Sequence, residues 1–242
     1  MKFSYDHARP GVAVDCVVFG FDPKDDVVSP LKVLLVCRGK EPFRGQWALP
    51  GGFVHVSDDG DQGEDLEAAA RRELREETGI EVDYLEQLYT FGAPHRDPRT
   101  RVISVAYFAL VRSRAHVAHA GSDASEAAWL PVRAFTSEPL MAFDHQHILL
   151  TAYDRLRAKV RYAPLGFNLL PASFTLSELR VLYETLLGRK LDPSNFRKKM
   201  LATGVLSETG SSRGGQHRPA PLYRFNKRAY DKAVREGFNF EV

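Results

Sequence analysis

Cysteine is scarce in this chain. Only Cys16 and Cys37 occur in 242 residues, and both lie inside apolar, strand-like runs. They read as buried free thiols, which suits a reducing cytosol. No CxxC pair or cysteine–histidine cluster is present to suggest zinc. Long apolar runs are missing too. None approaches the roughly 18 residues that a membrane helix needs. The opening "MKFSYDHARP" has no apolar stretch behind a basic start, so no secretory leader is expected. Long internal repeats are absent. What remains is ordinary for a soluble globular protein: 44% hydrophobic and 26% charged residues. The expected location is the cytoplasm, with no membrane partner. The length suits one large domain or two modest ones.

Charge is unevenly spread. The net charge is +2, but residues 161–242 carry 14 Lys and Arg against 7 Asp and Glu, a net of +7. The first 160 residues are therefore acidic, at −5. An acidic body with a basic tail fits a nucleic-acid-binding appendage, and equally a solvated surface with no partner.

The pattern along the chain separates two regions, 1–160 and 161–242. "GVAVDCVVFG" (11–20) and "LKVLLVCR" (31–38) are β-branched runs split by a turn, and read as a hairpin. A loop, "EPFRGQWALPGGF", follows. Residues 63–82 form an amphipathic helix stopped by Gly79. Further strands are expected at "YLEQLYTFG", "RVISVAYFALV" and "AAWLPV", and a helix over 139–160. The expected fold class is α+β, with a mixed sheet and helices. Near residue 160 the style changes, and "RYAPLGFNLLPAS" reads as a linker. Thr175-Leu-Ser-Glu178 is a capping box that starts a helix at Leu176. Asp192-Pro193 starts a second one. Two short strands, "VLSET" and "PLYRF", flank a Gly-rich turn. Helix, turn, helix and hairpin make the plan of a winged helix-turn-helix.

The helix at 63–82 holds a contradiction. At about 100° per residue, Glu73 and Glu77 fall within about 20° of Leu66, on the side that carries the leucines. A carboxylate there is costly unless a cation pairs with it or the side opens into a polar cleft. Glu64, Arg72, Glu73, Leu74, Glu76, Glu77, Gly79 and Ile80 stand at fixed spacings, and this set resembles the Nudix box. The likeness covers about residues 10–155 and implies a Nudix α/β/α sandwich. It implies Mg²⁺ or Mn²⁺ held by Glu73, Glu76 and Glu77, and cleavage of a nucleoside diphosphate with Arg72, Glu73, Glu76 and Glu77 as the catalytic set. Gly52 and Glu64 support the box, Glu64 as countercharge to Arg72. One departure stands out. Eleven residues separate Gly52 from Glu64 where the family pattern has five, and this insertion is placed to displace the loop that carries Gly52. "APHRDPRTRVISVAY" resembles a segment of ADP-ribose-type Nudix proteins. Arg96, Arg99 and Arg101 are candidate phosphate contacts, with Arg38 and Arg44 behind them. Each is equally readable as a solvated loop charge. Trp47 reads as a core aromatic rather than a base-stacking one.

In the basic region, Ser194, Asn195, Arg197, Lys198 and Lys199 lie on the second helix of the helix-turn-helix. Arg213, His217 and Arg218 lie in the hairpin turn. In a winged helix such residues face bases and phosphates. The alternative is a small dimerisation or lid domain with basic decoration. The pairing of the two regions, with "FDH" at 143–145, "FTLSELRVLYETLLG" and "NFRKKM", resembles the Nudix-related transcriptional regulators. These are bacterial repressors of NAD-metabolism genes that sense ADP-ribose or a related nucleotide and bind operators as dimers. Two functions follow as expectations. One is a ligand-responsive repressor on double-stranded operator DNA. The other is a Mg²⁺-dependent ADP-ribose pyrophosphatase whose C-terminal domain serves assembly.

Overall fold

The computed structural model describes residues 6–23, 30–56, 63–111, 124–136, 141–214 and 219–237. The chain forms two compact units, Met1–Gly20 with Leu31–Tyr153, and Phe21–Pro30 with Asp154–Val242.

The first unit is built on a mixed sheet. Its strands are β1 (Gly11–Phe21), β2 (Leu31–Arg38), β3 (Trp47–Ala48), β4 (Gly51–Phe53), β5 (Tyr84–Phe91), β6 (Val102–Val111) and β7 (Ala124–Pro131). The main order is β3-β2-β1-β6-β5, with β4 on β1 and β7 on β2. β1 runs parallel to β6, and Asp15 lies opposite Ala106. It is antiparallel to β4, where Asp15 lies opposite Gly51. A strand buried on both faces reads as a nearly continuous apolar run, as β1 does. Val14, Cys16 and Val18 on one face pack with Ala69, Ala70 and Leu74 of helix α1 (Leu66–Thr78). The Asp65 side chain caps α1 by accepting from Ala68 N, and Gly79 ends it in the left-handed region at φ 69°. Cys16 is buried as expected, but Cys37 is only half-buried, at the end of β2 where the strand borders a cleft.

Helix α2 (His145–Lys159) starts six residues later than the periodicity suggests. Met141 instead bridges Trp47, and Phe143 adopts φ 53°, a left-handed conformation no helix continues. Residues 137–140 lie outside the described segments. The unit boundary falls inside α2, between Tyr153 and Asp154.

In the second unit, α3 (Leu176–Leu187) carries the full Thr175/Glu178 capping box. α4 (Pro193–Ala202) is capped by Asp192. β8 (Leu206–Arg213) and β9 (Ala220–Phe225) form the hairpin, with Leu206 opposite Phe225. Leu179, Leu182, Tyr183 and Leu186 of α3 and Phe196 and Met200 of α4 are buried, with the Tyr183 ring 5.8 Å from that of Phe196. Two features depart from expectation. The stretch read as a linker is packed: Phe167 stacks on Phe225 at 4.4 Å, and Leu169 and Leu170 are fully buried. A further helix, α5 (Lys227–Arg235), follows β9. It buries no residue: its apolar arc, Ala229, Tyr230, Ala233 and Val234, is only half-covered or exposed.

Candidate functional site

Gly51 and Gly52 bring the end of the loop before α1 against the acidic side of that helix. Gly51 N donates to Glu77 Oε2 at 2.9 Å. A Cβ on Gly52 would stand 2.3 Å from Glu73 Oε1, so only glycine allows this approach. The insertion therefore leaves Gly52 in place. Its extra residues, 57–62, lie outside the described segments.

Arg72 organises the remaining carboxylates. It donates to Glu64 at 2.7 Å, to Glu73 at 2.8 Å, to Glu76 at 3.0 Å and to Phe53 O at 3.2 Å. The Glu64 carboxyl is held down at about 2, first by the hydrogen bond from Arg72, against some desolvation. Glu73 and Glu77 move the other way. Burial raises Glu73, with Arg72 opposing. Burial raises Glu77 to about 7, against the Gly51 N–H and with the charges of Glu73 and Asp15 adding to it. Glu76 is apart from them: its side chain is 57% exposed and its carboxylate turns to Arg72. Among the described residues, no group of three or more His, Cys, Asp or Glu is arranged around one metal position. The donor chemistry nonetheless fits a hard divalent ion at Glu73 and Glu77. These are two neighbouring oxygen ligands whose ionised forms are disfavoured by burial, with the charge of Glu73 adding to the cost at Glu77, and a cation would relieve that.

Beside Glu77 lies a cavity of about 230 Å³. Arg38, Arg96 and Arg99 line it; Arg44 and Arg101 do not. Arg44 is exposed on its loop, and Arg101 turns to Ala93 O and Val102 O. Trp47 is half-buried. Phe143 stands between two of the cations, with the Arg38 guanidinium 4.7 Å and the Arg99 guanidinium 5.8 Å from its ring centre. Burial and the neighbouring charge of Arg99 push Arg38 down. The Asp97 carboxylate engages Arg99 at 2.7 Å and raises it. An anion between the two guanidiniums would offset their repulsion.

Arg96 is different. It is almost fully buried and makes a two-pronged contact with Asp144, at 2.7 and 3.0 Å, and a third bond to Asp15 at 3.1 Å. Ser104 Oγ also donates to Asp15. His145 Nδ1 accepts from Leu49 N at 2.9 Å, which leaves Nε2 to carry the proton facing Asp15. Burial lowers the His145 pKa, in keeping with a neutral ring. Arg96 thus braces the cavity wall, with little left for a phosphate. Asp15, Asp97, Phe143, Asp144 and His145 were not singled out as site residues. For three of them the "FDH" string was the available signal. Asp15 offered one as well, as a lone carboxylate in an apolar strand.

On the second unit, Ser194, Asn195, Arg197, Lys198 and Lys199 are all exposed, while Phe196 and Met200 face inward. α4 therefore presents one polar, basic side to solvent. Arg213 turns back to Glu178 and towards Ser173 O. His217 and Arg218 lie outside the described residues.

Comparison with known proteins agrees with this architecture. Residues 9–151 match the NUDIX domain, and residues 166–225 match the NrtR DNA-binding winged helix domain. The "ADPR responsive transcriptional repressor NtrR" of Acinetobacter baylyi is 40% identical over 238 residues, covering 97% of this chain and 87% of that protein. The crystal structure of Shewanella oneidensis NrtR complexed with a 27mer DNA superposes with a TM-score of 0.75 at 34% identity, over 95% of this chain and 97% of that one. The NUDIX domain of the same protein, solved with ADP ribose, gives a TM-score of 0.54 at 35% identity, over 63% of this chain and 94% of that one. With both domain models matched and a relative 40% identical over nearly the whole of both chains, the chain belongs to the NrtR family of Nudix-domain, winged-helix proteins.

Proposed function

We propose that this protein is an ADP-ribose-responsive transcriptional repressor of NAD-related genes. α4 enters the major groove of operator DNA, and the cavity at Arg38, Arg99 and Glu77 takes the effector. The observation that carries the reading is the joining, in one chain, of that cavity to an exposed basic helix in a winged-helix unit. The diphosphate would lie between the two guanidiniums, with the aromatic ring of Phe143 beneath them. Glu73 and Glu77 would hold Mg²⁺ or Mn²⁺, which, when bound, neutralises diphosphate charge and acidifies its water. Two copies acting as a homodimer would read two half-sites, so a ligand that alters their spacing alters affinity. No helix among the described residues is long and apolar enough to cross a membrane, and the proposed location is the cytoplasm.

The test is a gel shift with duplex from the gene's own upstream region, titrated with ADP-ribose in Mg²⁺. Selective binding whose affinity changes with ADP-ribose supports the reading. Equal affinity for random duplex overturns it. A second reading, hydrolysis of ADP-ribose by the same site, is favoured by the intact box and by Glu77, whose carboxyl sits at about 7. The two activities are compatible in one protein.

A further inference from the structure

We infer that α5, which lies beyond the matched winged helix domain at 166–225, is an additional phosphate-binding surface for duplex DNA. The inference rests on the repressor reading and extends its interface. On a helical projection of about 100° per residue, Arg228, Lys232 and Arg235 fall within about 60° of one another. Ala229, Tyr230, Ala233 and Val234 occupy the opposite arc. The apolar side meets the domain through Tyr230, whose ring lies 5.8 Å from Phe225, which stacks on Phe167; Ala229 and Ala233 are half-buried and Val234, at its far end, is exposed. The basic side faces away, and Arg228, Lys232 and Arg235 are all exposed.

The acidic residues of α5 do not neutralise this stripe evenly. Asp231 pairs with Lys227 at 2.7 Å, and Glu236 lies 3.8 Å from Lys232. Arg228 and Arg235 make no ion pair among the described residues. They stand seven residues apart on one side, about 10.5 Å along the axis, which is enough to address two separate phosphates.

The position of α5 makes it continuous with the proposed interface. Its cap residue, Asn226, donates from its backbone to Val205 O at 2.8 Å and from Nδ2 to Ser207 Oγ at 3.1 Å. Val205 and Ser207 belong to the segment that leads from the end of α4 into the hairpin. The basic helix thus begins beside the turn that follows α4, whose Lys198 and Lys199 are exposed, and directly follows β9, whose Arg224 is exposed. Duplex DNA is the partner that complements this run of charge. Contacts of this kind carry no sequence information and add to the salt-dependent part of the affinity.

The experiment measures binding of the full chain to its own upstream duplex and to a random duplex of equal length across a salt series. R228Q/R235Q should weaken both by a similar factor, about tenfold at low salt, and reduce the slope of log K against log salt by about 2, with the preference between duplexes unchanged. R228K/R235K should restore the slope, because charge rather than guanidinium geometry is at stake. R197A/K198A should instead lose preference. If the wild type prefers neither duplex, the repressor reading itself fails. If the wild type is selective and R228Q/R235Q keeps its full slope, the α5 inference alone is overturned. Thermal melting of each variant confirms folding, and the single variants R228Q and R235Q, each lowering the slope by about 1, serve if the double variant melts early.

Discussion

A glycine decides how close the acidic helix comes to the loop before it. Gly52 lies against the Glu73 carboxylate, and a methyl group there would overlap Oε1 at 2.3 Å. Gly52→Ala must either push Glu73 aside or shift β4. Since β4 makes a three-residue pairing with β1, the fold should survive while the carboxylate moves. ADP-ribose hydrolysis, or Mg²⁺-dependent binding of ADP-ribose, should fall at least about 100-fold, in line with misplacement of a reacting group by about 1 Å. Circular dichroism should be unchanged. Full activity in the variant would show that the Glu73 position is not critical. At this scale the sequence was informative only where spacing is local. Glu64, Arg72, Glu73 and Glu76 follow one another on or just before a helix, so their proximity was legible. Arg96 was not. Its partners Asp15 and Asp144 are 81 and 48 residues away, and an arginine that braces a wall has the same local signature as one that grips a phosphate.

Elements show how local signals and packing divide the work. The capping box of α3 formed as read, and its helix carries Glu184 into a buried position. That carboxyl meets a desolvation cost, yet the Leu191 N–H, Lys190 and Arg180 outweigh it, and the pKa is lowered from 4.5. A carboxyl whose folded pKa is depressed contributes stability that is present above its unfolded pKa and is lost as pH falls through the folded value. The winged-helix unit should therefore lose stability on acidification from about 4.5 downward. Glu184→Gln should flatten that acid limb and cost about 1–2 kcal/mol at neutral pH, through the weakened hydrogen bonds. Urea unfolding at a series of pH values measures both. An unchanged acid limb would remove Glu184 from the account. The linker and α5 failed to declare themselves for opposite reasons. The linker's Pro and Gly resemble a free tether, but its Phe167 and leucines had buried places to go. α5 has charge on one side and a short apolar arc on the other, which touches the end of the hairpin through Tyr230 and buries nothing.

For the whole molecule, the question is whether hydrolysis and DNA recognition can be separated. Glu77→Gln removes one charge from the proposed cation site and leaves α4 untouched. It should reduce turnover of ADP-ribose by about 100-fold or more. In the absence of ligand, operator affinity should change less than about twofold, because Glu77 and α4 belong to different compact units, and sites that share no partners act independently. The protein should also need more Mg²⁺ for ADP-ribose to alter DNA binding. Turnover assays and gel shifts on the same preparation would read both. Unchanged turnover would overturn the metal assignment, and lost operator binding without ligand would show that the box helix also holds up the second unit.

The sequence alone determined the Nudix-box helix, the capping signals and the winged-helix plan, because each is written in residues a few positions apart. Hydrogen bonds, helical faces and caps act over one or two turns, and their spacing is visible in the chain. Only the tertiary structure decided which arginines line the cavity, that Asp15, Asp144 and His145 brace it, that Arg213 turns back to Glu178, and that a nine-residue helix beyond the hairpin carries an open basic side. Those outcomes depend on which distant strands become neighbours and on which charges burial forces to pair, and neither is settled until the chain has folded.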